Sequence, residues 1–264
     1  MDLLAEEPMQ FDVLGPVRVS CGGRPVPLHG CRMRVLLVAL ITHANAVVNT
    51  AELVDWLWPD DPPASALVSL RAHVSKLRAS LDPDRCRWSR DDRLRTQPPG
   101  YVLRVGPDEV DAARFERMLT RAQHALRAGA AEPARTLLDQ ALRLWRGPAL
   151  TDAAHVEAAR GEIARLEELR LTARTLRVEV DLALGRHDDA LPELRRLVAD
   201  HPLHERFYAL LMVALHRGGR RADALTVYRR AGAVLAEELS VTPGPVLRRA
   251  EAAIRADDTG PGVS

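Results

Sequence analysis

The sequence predicts a mainly α fold with a small β component: an N-terminal winged helix-turn-helix followed by an all-α, tetratricopeptide-like domain. Three observations carry this prediction. From Phe11 to Arg104 short alternating segments sit among helical ones, whereas from Asp111 onward helical periodicity runs almost unbroken. A helix with a small, acid-free face precedes a Gln97-Pro98-Pro99-Gly100 turn flanked by short strand-like segments. Finally, Gly185-Arg186-His187-Asp188-Asp189-Ala190-Leu191 recurs as Gly219-Arg220-Arg221-Ala222-Asp223-Ala224-Leu225 at an offset of 34 residues, the period of tetratricopeptide helix pairs.

Taken in order, residues 1–10 read as a flexible N-terminus, 11–106 as the winged helix, 107–257 as the helical domain and 258–264 as a flexible tail, with Gly106-Pro107 as the joint. Phe11–Val13 and Val17–Val19 alternate as strands do, and Gly22-Gly23 signals a tight hairpin into Pro25–Leu28. Arg32 to Ala44 reads as a largely buried helix. Asn49 is an N-cap with Glu52 at the third helical position, opening a second helix that ends before Pro59. The stiff acidic loop Pro59-Asp60-Asp61-Pro62-Pro63 leads into a third helix, about Ser65 to Leu81. Its apolar stripe is Leu67, Leu70, Val74, Leu77 and Leu81. The opposite face holds Ser65, Val68, Ser69, Ala72, Ser75, Lys76 and Ala79, with no acid anywhere in the helix. Arg87-Trp88 and Leu94–Thr96 read as strand pieces, and Tyr101–Arg104 completes a hairpin, the layout of a wing. Gly129-Ala130-Ala131-Glu132-Pro133-Ala134 reads as an earlier, degenerate copy of the repeat.

Composition bounds function. The 264 residues carry 37 basic and 36 acidic side chains, a net charge of +1, so the whole chain does not advertise a nucleic-acid partner. Residues 65–104 do: nine basic and four acidic residues give +5. Cys21, Cys31 and Cys86 are odd in number and lack metal-site spacing, which predicts reduced, mostly buried thiols and no metal site. The first ten residues carry Asp2, Glu6 and Glu7, unlike a secretory leader, and the longest apolar run, Val35–Ile41, falls short of a membrane span, so a cytoplasmic protein is expected. Acids and histidines are scattered without a nucleophile, base or phosphate-loop arrangement, which argues against an enzyme and predicts no cofactor.

The stretch Val68–Arg78, followed by Leu94–Tyr101, resembles the recognition helix and wing of OmpR-type regulators. With Phe11–Val17, Glu52–Pro59, Leu144–Leu150 and Ala236–Pro245 added, the chain is similar to the SARP family, the Streptomyces antibiotic regulatory proteins, whose C-terminal half is called the bacterial transcriptional activation domain. The resemblance implies an activator of a secondary-metabolite gene cluster that binds direct repeats near the promoter −35 element and contacts RNA polymerase and its sigma factor. With nothing beyond Ser264 and about ten residues before the first strand, the small type without a receiver domain is expected.

The resemblance places base-reading positions at Ser69, Ala72, Lys76 and Arg78; the helical wheel independently exposes the first three. Lys76 is assigned to DNA, Arg78 to phosphate, and for Arg71 and Ser75 a DNA contact and a solvated face are equal readings. Val68 and Ala72 stand where many relatives are polar, favouring thymine methyls or DNA shape. In the wing, Arg93, Arg95, Thr96 and the Gly100 backbone are candidates for phosphate or minor-groove contact, while Tyr101 is read first as a packing residue. His73 is read as structural or phosphate-bonding rather than a metal ligand. Trp58, Asp60 and Asp61 lie where wider winged-helix relatives meet polymerase; a stiff surface turn is an equal reading. Trp56, Trp58 and Trp145 read as core anchors. A second protomer on DNA is expected, and a fragment ending near Gly106 is expected to keep sequence preference. The competing class is a tetratricopeptide scaffold whose winged helix binds protein, which has no need of the local +5.

Overall fold

The computed structural model describes residues 9–81 and 93–257. It forms two compact units: Met1–His124 with Leu137–Ala173, and Ala125–Thr136 with Arg174–Ser264.

The first unit opens with an antiparallel sheet of β1 (Met9–Asp12), β2 (Arg18–Cys21) and β3 (Arg24–Pro25). Met9 and Phe11 face the core while Gln10 and Asp12 are half-covered, the alternation of a one-sided sheet. The strand thus starts two residues before the position read from sequence. Gly22 and Gly23, at φ 54° and 79°, make the β2–β3 turn that needs left-handed backbone at both positions. The expected strand Pro25–Leu28 shrinks to Arg24–Pro25, because Pro25 and Pro27 have no N–H to give a ladder.

Helix α1 (Cys31–Thr42) buries every residue from Val35 to Ile41, so it is covered all round. Cys31, on its first turn, is exposed and Cys21 half-buried, contrary to the expectation of buried thiols; Cys86 lies outside the described residues. Helix α2 (Thr50–Leu57) starts where the Asn49 side chain accepts the Ala51 N–H at 2.9 Å. Helix α3 (Ala66–Leu81) packs on α1 and α2. A second sheet has the order β4 (Val48–Asn49), β6 (Gly100–Leu103), β5 (Leu94–Gln97), all antiparallel. The two-residue β4 is too short to announce itself in sequence. The expected strand piece at Arg87-Trp88 lies outside the described residues.

The same unit continues past Gly106. Val110 bridges Phe11, and the Phe11 N–H reaches the Glu109 carbonyl at 2.7 Å. Asp111, 1% exposed at the start of α4 (Asp111–Arg127), accepts the N–H groups of Val13 and Leu14 at 2.8 and 3.0 Å. Burial pushes its carboxyl above the ordinary carboxylate value, against the pull of those two donors. Farther on, Asp152 accepts the Val17 N–H at 2.7 Å and pairs with Arg34 at 2.5 Å. The sequence joint and the compact units therefore fall at different places. Trp145 is half-buried, edge-on to Phe115 with the Arg170 guanidinium 4.5 Å from its ring centroid; Trp56 and Trp58 are buried as read.

Helices α5 (Ala131–Arg143) and α6 (Arg160–Ala183) follow in the chain. In the second unit α7 (His187–Asp200), α8 (Glu205–Arg217), α9 (Arg221–Leu239) and α10 (Pro245–Ala256) follow, with the largely apolar α8 touching the other three. The 34-residue repeat is visible in its turns. Gly185 and Gly219 have φ 76° and 74°, and each is followed by an arginine N–H bonded five residues back, Arg186 to Asp181 and Arg220 to Leu215, both at 2.8 Å. Gly129, at φ 73° before the Ala130-to-Ala125 bond of 2.9 Å, repeats the motif a third time. Asp181, fully buried, is bound by Arg135 at 2.6 Å, a pairing no sequence period signals.

Candidate nucleic-acid interface

Helix α3 divides its residues as a recognition helix must. Leu70, Val74, Leu77 and Leu81 are buried, and Val68, Arg71, Ala72, Ser75, Lys76 and Ala79 are exposed; Ser69 is half-buried. The exception is Leu67, read into the stripe but 51% exposed, with Ala66 buried in its place. At 100° per residue both lie about 50° from the centre of the stripe, on opposite sides. Periodicity leaves them tied, and what the first turn meets decides between them. The exposed face carries short side chains, so the helix backbone can approach another surface closely, with cations at Arg71 and Lys76 to meet a polyanion.

The Arg78 side chain ties the wing to this helix. Arg78 donates from Nε to the Leu94 carbonyl at 2.7 Å and from its terminal nitrogen to the Thr96 hydroxyl at 2.7 Å, with its guanidinium 5.8 Å from the Tyr101 ring centroid. Strand β5 carries exposed Arg95 and Thr96. Gly100 fixes the other edge: a Cβ there would lie 1.8 Å from the Val48 carbonyl oxygen, so only glycine lets β6 cross β4.

Positive potential gathers beside α3. Burial, with Lys76 and Arg32 nearby, lowers the His73 imidazole below its ordinary value, so it is neutral near pH 7. Arg32 lies 5.5 Å from the Trp58 ring centroid, and Trp58 is tilted against His73 at 6.4 Å. Among the described residues no group of three or more His, Cys, Asp or Glu side chains is placed to hold a metal ion.

Residues 23–103 match the family described as "Transcriptional regulatory protein, C terminal", and residues 110–255 match "Bacterial transcriptional activator domain". Over 256 residues the chain is 38% identical to Regulatory protein DnrI of Streptomyces peucetius, covering 96% of this chain and 94% of that one. It is 39% identical over 252 residues to Transcriptional regulator RedD of Streptomyces coelicolor, covering 95% and 71% respectively. The chain belongs to the SARP family. A solved structure of Mycobacterium tuberculosis EmbR in complex with a low-affinity phosphopeptide matches this SARP with a TM-score of 0.88 at 33% identity, over 96% of this chain and 66% of that one. This SARP is a transcriptional activator with an OmpR-type winged helix, and not an enzyme.

Not every residue singled out in the sequence reaches the face that α3 and the wing share. Arg93 is turned to Glu109, at 2.7 Å, and its charge is spent there. Gly100 and Tyr101 are buried in the second sheet, where Tyr101 is a packing residue. Trp58 is 8% exposed beneath Arg32 and offers little to a partner, whereas Asp60 and Asp61 are exposed. Arg78 binds both the Leu94 carbonyl and the Thr96 hydroxyl of the wing. Sequence reading missed Arg32, whose only signal was a cation on the first turn of an otherwise apolar helix, and Glu109, which had none. Among the described residues of this SARP no helix is long and apolar enough to cross a membrane.

Proposed function

We propose that this SARP is a cytoplasmic, sequence-specific activator of a secondary-metabolite (antibiotic) biosynthetic gene cluster. It binds direct repeats near the promoter −35 element as two protomers on one face of the duplex and recruits RNA polymerase holoenzyme through its sigma factor. The observation that carries this reading is the exposed, acid-free face of α3 beside a wing tied to it by Arg78. Lys76 reads a base edge, Ser69 and Ala72 line the close approach, Arg71 and Ser75 flank it, and Arg95 and Thr96 in the wing hold phosphate. His73, neutral and half-buried, is a structural or phosphate-bonding residue. Asp60 and Asp61 are the acidic contacts offered to polymerase. Repeats spaced about 10–11 base pairs put both recognition helices on the same side of the DNA.

The test is footprinting of the purified protein on the promoters of neighbouring genes, followed by titration at several salt concentrations. With about 4–8 phosphates neutralised per protomer, log K falls with log salt at a slope of about 0.9 per phosphate. Salt-independent binding, or protection without a repeated site, rejects the reading.

A further inference from the structure

In the second unit a groove of about 360 Å³ runs across α7, α8 and α9. Each helix gives it one face: Arg195 and Val198 from α7, Leu211 and Leu215 from α8, and Asp223 through Arg230 from α9. The floor is apolar and closed, with Val198, Leu211 and Leu215 at 6%, 5% and 3% exposure. The rim is cationic. Arg220 is taken by Asp223 at 2.7 Å. Arg195 and Arg230 are exposed on opposite walls and make no ion pair or hydrogen bond among the described residues. Arg230 also lies close enough to the buried Tyr208 phenol for its charge to be felt there.

We infer that this groove is a docking site for an acidic peptide segment of a partner protein, one carboxylate meeting Arg195, another Arg230, and an apolar side chain between them on Val198 and Leu215. Charge complementarity selects the occupant: two arginines with no ion pair among the described residues stand over the apolar floor of Val198, Leu211 and Leu215. The geometry suits a peptide better than a nucleic-acid backbone, because phosphates would gain from the rim but leave the apolar floor uncovered. The volume holds two or three side chains, the reach of a short linear segment. The assignment rests on the groove alone and does not require the DNA-binding reading.

The experiment is fluorescence anisotropy of the full-length protein with a labelled twelve-residue peptide alternating Asp-Glu pairs with Leu and Phe. Two control peptides replace the acids by Asn and Gln, or the apolar residues by Ser. Saturable binding is expected to the parent peptide, weakened about tenfold or more with either control and with the R195E/R230E double variant. That variant should keep the wild-type helical circular dichroism and melting curve, and also the wild-type affinity for promoter DNA. Arg196→Glu, a charge reversal on the same helix outside the groove, should bind the parent peptide like wild type. The inference is overturned if the parent peptide fails to bind, if R195E/R230E binds it equally well, or if the Ser control binds as tightly as the parent. It is equally overturned if R195E/R230E loses DNA affinity, which would make the arginines phosphate contacts.

Discussion

Replacing Arg78 by leucine should loosen the wing and lower the stability of the first unit by about 2 kcal/mol. The magnitude comes from two of its bonds. The one to the Leu94 carbonyl is partly buried and donated by a charged group, worth about 1.5 kcal/mol. The one to the exposed Thr96 hydroxyl is open to water and adds about 0.5 kcal/mol. Leucine keeps most of the apolar stem, so little packing is lost. Trp56, Trp58 and Trp145 lie within the first unit, so their emission during urea unfolding reports that unit. With a denaturant slope of about 2 kcal/mol per molar, the midpoint should fall by about 1 M. Arg78→Lys separates strut from charge: lysine keeps the cation but not the fork, so it should recover little of the midpoint or of the affinity for promoter DNA. An unchanged midpoint for Arg78→Leu, or full recovery of DNA affinity by lysine, would refute the strut.

Lys76→Ala should cost about 1–3 kcal/mol of binding and relax preference at one base pair, whereas Arg95→Ala should weaken all sequences alike; competition against single-base variants of the site reads the difference. A fragment ending at Gly106, expected from sequence to keep its specificity, should instead lack a cooperative thermal transition. It removes the cover of Phe11 and Leu14 and the partners of the Phe11, Val13, Leu14 and Val17 N–H groups, a loss of about 3–6 kcal/mol in apolar burial alone. Gly100→Ala should abolish the β4–β6 pairing, seen as loss of hydrogen-exchange protection at Tyr101, because its Cβ meets backbone that has nowhere to go. Stability should also fall with acid at His73. Its folded value lies below the ordinary 6.5, so the unfolded chain takes up the proton first. The contribution is whole above about pH 6.5 and is lost as pH falls through the folded value. His73→Gln should flatten that part of the urea-midpoint profile, and an identical profile would show that the imidazole is not strained by its surroundings.

What the sequence determined by itself is what periodicity and backbone chemistry encode locally. The buried run of α1, the Asn49 cap, the Leu70–Val74–Leu77–Leu81 stripe with Lys76 on the opposite face, the Gly22-Gly23 turn and the 34-residue echo at Gly185 and Gly219 all follow from spacing or from positions that need glycine. Tertiary structure decided the rest, because it depended on partners far along the chain. Leu67 and Ala66 were equivalent until a neighbour covered one of them. Arg93, Arg78 and Arg95 look alike in sequence, but Glu109 claims the first, the Leu94 carbonyl and the Thr96 hydroxyl bind the second, and the third stands on the exposed strand β5. The limit of the folded unit is of the same kind. Gly106-Pro107 breaks the local pattern as a boundary should, yet Asp111 and Asp152 reach back to cap N–H groups near the start of the chain. A carboxylate about a hundred residues from its donors leaves no periodic trace, so only the folded chain shows that the two segments are one core.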